Sequence, residues 1–82
     1  MISGIKKYTL ADDGSSMEAA TPLELVRKLR DSGKFTRDEM LDEYMEGFAK
    51  RQFEYSGAEI RTDTTDNFVA DLLRIGFLTL ID

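Results

Sequence analysis

Three glycines punctuate this chain: Gly33, Gly57 and Gly76 each close a run of apolar residues spaced like one face of a helix. Cap-forming sequences rich in threonine open the same runs, so the chain divides into three helices of limited length. In Thr21-Pro22-Leu23-Glu24, Thr21 can accept from an orphan amide as N-cap, Pro22 suits the first helical position, and Glu24 completes a capping box. Leu25, Val26 and Leu29 then share one face, and Gly33 supplies a left-handed stop, which predicts a helix over 22–32. Thr36-Arg37-Asp38-Glu39 repeats the box ahead of Met40, Leu41, Tyr44, Met45, Phe48 and Gln52. The longest helix is therefore expected over 37–54. Asp63-Thr64-Thr65-Asp66 offers N-caps for a third helix, whose face is Phe68, Val69, Leu72 and Leu73.

Strand signals lie around these helices. Residues 5–10 alternate and carry Ile, Tyr and Thr, the Asp13-Gly14 pair marks a hairpin turn, and 16–20 read as the returning strand. Residues 58–62 read as a short strand with Ile60 facing in, and 77–81 as a final buried strand. The fold class is α+β, in the order β-β-α-α-β-α-β, with helices covering one side of the sheet. A chain of 82 residues fits one domain. The expected core is Leu25, Val26, Leu29, Leu41, Tyr44 and Phe48, joined by Ile60, Phe68, Val69, Leu72 and Phe77. A shift of 43 residues superposes Thr21, Val26, Leu29 and Gly33 on Thr64, Val69, Leu72 and Gly76. Two capped helices of the same design would produce the same echo without any duplication.

Composition removes whole classes of chemistry. Cysteine and histidine are both absent, which excludes thiolate nucleophiles, Cys-based zinc sites and the usual general base at neutral pH. Gly33-Lys34 is not a phosphate loop, because Lys28 stands where the upstream glycine belongs and Phe35 where Ser or Thr belongs. Asp12-Asp13-Gly14 lacks the spaced acids of a calcium loop, and Asp63 and Asp66 are accounted for by helix capping. Ser3 and Lys6 come nearest to a Ser-x-x-Lys pair, at an end expected to fray. No catalytic residue, metal site or cofactor is expected, and the chain reads as no enzyme. No signal peptide and no membrane-length apolar run is seen, so a cytoplasmic location is expected. The net charge of −5 disfavours direct binding to nucleic acid or to anionic membranes.

Charge is unevenly laid out. Over 27–37 stand Arg27, Lys28, Arg30, Lys34 and Arg37 against the single Asp31, whereas Asp38, Glu39, Asp42, Glu43 and Glu46 follow over 38–46 without a cation. On one continuous helix the five acids would fill an arc of about 140° opposite Met40, Tyr44 and Phe48. Like charges at that spacing repel by about 0.2–0.5 kcal/mol per pair. First-turn acids recover part of this from the helix dipole, and Glu46 with Lys50 adds an ordinary pair. Two readings stay open: a solvated face, or an acidic ridge that docks on a basic groove. Phe53 lies off the main apolar arc, either packed under the following strand or exposed as an interface anchor.

Several segments carry a resemblance. They are Tyr8-Thr9-Leu10 with the Asp13-Gly14 turn, Thr21-Pro22-Leu23-Glu24-Leu25-Val26, and Tyr44-Met45-Glu46. To these are added Tyr55-Ser56-Gly57-Ala58-Glu59-Ile60-Arg61-Thr62-Asp63 and Phe68-Val69-Ala70-Asp71-Leu72-Leu73 with Gly76-Phe77-Leu78. In these the chain is similar to small uncharacterised acidic proteins of phages and mobile elements of gut bacteria. The resemblance assigns no residue a role. It implies a setting in which small acidic proteins often inhibit host nucleic-acid-targeting systems, as anti-CRISPR proteins do. The expected function is a protein-binding module, a candidate inhibitor, whose acids Asp38, Glu39, Asp42, Glu43 and Glu46 meet the basic surface of a nucleic-acid-binding protein. The alternative is a structural or regulatory homodimer or larger homo-oligomer that pairs basic and acidic helices.

Overall fold

The structure is a computed structural model and describes residues 4–11, 14–33 and 36–81. Its elements are β1 (Lys6–Leu10), β2 (Ser16–Ala19), α1 (Pro22–Ser32), α2 (Leu41–Ser56), α3 (Thr65–Arg74) and β3 (Leu78–Ile81). This is the expected α+β class: three helices with a three-stranded antiparallel sheet in the order β2-β1-β3. Tyr8 in the central strand stands opposite Met17 on one side and Leu80 on the other. Side chains alternate accordingly. Tyr8, Leu10, Ala19 and Leu78 are buried on the helix side, while Lys7, Glu18 and Thr79 are exposed on the far side. The hairpin is tied by Leu10 N–H to Ser15 O at 2.8 Å and Gly14 N–H to Leu10 O at 2.9 Å. Asp13 of the expected Asp13-Gly14 turn lies outside the described residues, as do Asp12, Ser3, Lys34 and Phe35.

The strand expected over 58–62 does not form. That segment runs without a ladder partner, and α3 satisfies part of its backbone instead. Arg61 N–H donates to the Asp71 carboxylate at 2.8 Å, and Glu59 O accepts from Arg74 Nη2 at 2.8 Å. A segment whose polar groups are met by side chains has less to gain from joining a sheet edge.

Two of the expected caps are built as read. Thr21 Oγ1 accepts from Glu24 N–H at 3.1 Å, and Glu24 reaches back to Ala20 N–H at 2.9 Å. Thr64 Oγ1 accepts from Asn67 N–H at 3.0 Å. The sequence echo is matched in burial, since Leu25, Val26 and Leu29 of α1 correspond to Phe68, Val69 and Leu72 of α3, all buried. The Thr36 box is not used as read. The Thr36 hydroxyl donates to Arg30 O at 2.7 Å, closing the end of α1 rather than the start of α2. Residues 36–39 form a turn, and α2 starts at Leu41, where Glu43 accepts from Met40 N–H at 3.0 Å. Gly33 is also needed for a different reason. Its backbone is extended, φ −86°, and a Cβ there would meet Thr36 Oγ1 at 2.1 Å. Space for the threonine, not a left-handed turn, requires glycine. Gly57 is the left-handed stop, with φ 76°.

The core holds Leu25, Val26, Phe68 and Leu72 with no exposed surface, and Leu78 at 1%. Leu41, Phe48, Ile60 and Phe77 are only half-buried against it. Tyr8, Leu10, Ala19, Met45 and Leu78 were outside the expected core and are buried. Truncating Leu72 or Leu29 to alanine is expected to cost about 2–5 kcal/mol in urea unfolding. Leu80→Ala, at the uncovered end of the sheet, should cost far less, and a reversed ranking would show the helix faces to be misplaced.

Candidate functional site

Helix α2 outgrows its neighbours. Its 16 residues compare with 11 in α1 and 10 in α3. At 1.5 Å per residue it is about 24 Å long, so its last turns extend past the body that seats its first turns. Tyr44 and Met45 are buried. Phe48 sets its ring edge-on to Phe68 at 5.6 Å and to Phe77 at 4.9 Å, and lies 6.1 Å from Tyr44. Such pairs contribute about 0.5–1.5 kcal/mol each beyond their area. Two turns on, the same inward arc carries Tyr55, which is 88% exposed. Nothing of the chain's described body lies beneath it to bury it.

The outward arc is the expected ridge in a reduced form. At about 100° per residue, Asp42, Phe53, Glu46, Lys50 and Glu43 fall in that order within roughly 100°. All five are exposed, Phe53 at 55%. The structure does not bring all five acids together on the helix. Asp38 is exposed in the preceding turn, and Glu39 is half-buried there, its carbonyl accepting from Arg30 Nη1 at 3.4 Å. Asp42 and Glu43 fall in the first turn, where the helix dipole favours them. Glu46 and Lys50 make no ion pair, because the pairs among the described residues are Arg30–Asp31, Arg61–Asp71 and Arg74–Asp71. Phe53 does not pack under a following strand, since the strand expected over 58–62 does not form and Phe53 is 55% exposed.

Beneath the overhang lies an open groove of about 890 Å³. Arg51, Gln52, Tyr55 and Ser56 wall it, and Ala11, Ile75, Gly76 and Phe77 floor it. A second hollow of about 440 Å³ shares Arg51, Gln52 and Phe77, so Arg51 stands where the two meet. Gly47 makes room for this arginine: a Cβ there would lie 3.3 Å from Arg51 Nη1. Glycine inside a helix costs about 0.5–1 kcal/mol relative to alanine. Arg51 itself makes no hydrogen bond or ion pair among the described residues.

Burial pushes the Tyr44 phenol up to about 12, against a lowering by Arg51 and with a smaller rise from Glu39. It stays neutral and packs as a core group. Asp71 is the buried acid, 4% exposed. Arg61 grips it with Nε and Nη2 at 3.0 Å, and Arg74 Nε lies 3.5 Å away. Hydrogen bonds from the Arg61 side chain and backbone hold its carboxyl well below the usual carboxylate range. This cluster fastens the 58–62 segment to α3. Its sequence signal is faint: an acid between Phe68 and Leu72 at the border of an apolar arc. Asp63 accepts from Thr64 N–H and Asn67 Nδ2, in keeping with a capping role. Among the described residues no cluster of three acids could hold a metal ion, and no helix is long and apolar enough to cross a membrane.

No family model, curated protein or solved structure matches the chain.

Two pH dependences follow. Asp71 has a folded pKa below its unfolded value, so its contribution is full above about pH 4 and fades as pH falls towards the folded value. The stability gap between wild type and Asp71→Asn should therefore be wide at neutral pH and narrow in acid. A gap independent of pH would show that the carboxylate charge is not what Arg61 holds. Tyr44 has a folded pKa above its unfolded value near 10, so its contribution is intact below pH 10 and is lost as pH rises towards about 12. Tyr44→Phe should remove that part of the alkaline loss in a thermal-melt series.

Proposed function

We propose that the protein is a non-enzymatic binding module of the cytoplasm. It docks the outer face of α2 on the basic surface of a nucleic-acid-binding protein. In doing so it inhibits a host nucleic-acid-targeting system, in the manner of anti-CRISPR proteins. The observation that carries this reading is the composition of one exposed arc: Asp42, Glu43 and Glu46 share it with Phe53, a large aromatic side chain left 55% exposed. Carboxylates at successive turns present spaced negative charge to a groove made for a phosphate backbone. An aromatic at the end of the row supplies the apolar anchor that interfaces favour. Asp38 and the 67% exposed Met40 extend the same surface ahead of the helix. The homodimer alternative draws less support, because part of the basic cluster is used within the chain. Arg30 bonds Asp31 and Glu39 O, and Lys28 Nζ donates to Glu18 O.

The test is association with purified basic nucleic-acid-binding effectors at low and physiological salt. Asp42→Lys with Glu46→Lys should slow association about tenfold or more at low salt, with a smaller effect on dissociation. Stability should change by no more than about 0.5 kcal/mol, since both sites are exposed. Phe53→Ala should instead speed dissociation. If the double reversal associates at the wild-type rate with a partner the wild type binds, the acidic face is only solvated.

A further inference from the structure

The groove under the end of α2 is a second surface, and it differs in sign from the ridge on the helix's other side. Its one charged lining residue among those described is Arg51, which pairs with no acid among the described residues. Arg51 lines both hollows, and its guanidinium lies beside Gly47, where a Cβ would stand 3.3 Å from Nη1. The floor is apolar, from the half-buried Ile75 and Phe77, and Tyr55 hangs over it almost wholly exposed. Gln52 and Ser56 add an amide and a hydroxyl, although the Ser56 hydroxyl is already spent on Gln52 O at 3.0 Å.

We propose that this groove takes an extended segment of a partner protein in which a carboxylate side chain stands next to aromatic or aliphatic ones. The assignment to an acidic segment rests on charge complementarity. The exposed planar guanidinium, without a partner among the described residues, matches a carboxylate in two-point geometry, whereas a neutral or basic segment offers it no counter-charge. The apolar neighbours then lie on Phe77 and Ile75, and the Tyr55 ring closes over them. At about 890 Å³ the groove is large enough for a few residues of chain. This surface is independent of the acidic ridge, which faces away from it.

The probe is the blocked peptide acetyl-Leu-Asp-Phe-Leu-amide, with its Leu-Asn-Phe-Leu counterpart as control, titrated into ¹⁵N-labelled full-length protein. The Asp peptide should move the amides of Gln52, Tyr55, Gly76 and Phe77 saturably. The Asn peptide, and the Asp peptide on Arg51→Gln, should each bind about tenfold more weakly, as for loss of one charge-assisted contact. The variant with Asp42→Lys and Glu46→Lys should bind the peptide as wild type does, which separates this surface from the ridge. The proposal is overturned if those amides do not move, if the two peptides bind alike, or if Arg51→Gln is without effect. It is also overturned if the same amides move with protein concentration alone, which would assign the groove to a second copy of the chain.

Discussion

One short contact decides where the second helix begins. Thr36 donates its hydroxyl to Arg30 O at the end of α1, and it fits only because Gly33 has no side chain. With its side chain turned to that carbonyl, Thr36 sits in a turn closed by Glu39 N–H on Thr36 O at 3.0 Å and does not cap α2. The following turn is therefore consumed before Leu41, and the rest of the helix is displaced along the chain. With its start at Leu41 rather than near Arg37, α2 carries two fewer acids and ends two residues later than the pattern suggests, at Ser56. The later start is what takes Asp38 and Glu39 off the ridge, while the left-handed Gly57 sets the far end that overhangs the groove.

Seating the displaced helix falls to Phe48. Its edge-on contacts with Phe68 and Phe77 tie α2 to α3 and to the approach to β3, while Tyr44 and Met45 complete the buried patch. All of this is within the first half of the helix. The second half carries no fully buried residue and ends on the Ser56 hydroxyl bonded to Gln52 O and the left-handed stop at Gly57. A helix anchored at one end has two different exposed faces, an outward one with Asp42, Glu43 and Glu46 and an inward one headed by Arg51 and Tyr55.

The sheet stays at three strands because a side chain replaces a ladder. Asp71 accepts three hydrogen bonds from Arg61, one of them from the backbone, and this clamps the 58–62 segment against α3. A buried carboxylate is tolerable only when paired and bonded in this way, and removing either partner would strand a charge. The same clamp leaves β3 as an outer strand of the sheet, with Leu80 and Ile81 partly exposed.

The sequence by itself determined the local structure. Thr21 and Thr64 cap the helices they were read to cap, Leu25, Val26 and Leu29 are buried like Phe68, Val69 and Leu72, and the hairpin forms where the alternation placed it; the last strand forms too, but at the sheet edge with Leu78 alone buried rather than as a buried strand. These features depend on neighbours within a few residues, so spacing reveals them. Asp42, Glu43 and Glu46 were legible as an exposed acidic group for the same reason. Only the tertiary structure decided the use of Thr36, the fate of 58–62, the demotion of Asp38 and Glu39, and the groove beneath Tyr55. In each case a local signal competes with a partner distant in sequence or with the finite length of a neighbour. Thr36 can cap either of two helices, and Arg61 finds Asp71 ten residues away. Tyr55 continues an apolar arc past the point where α1 and α3 can cover it. Periodicity marks which side of a helix faces inward, but how far the inside extends is set by the elements packed against it.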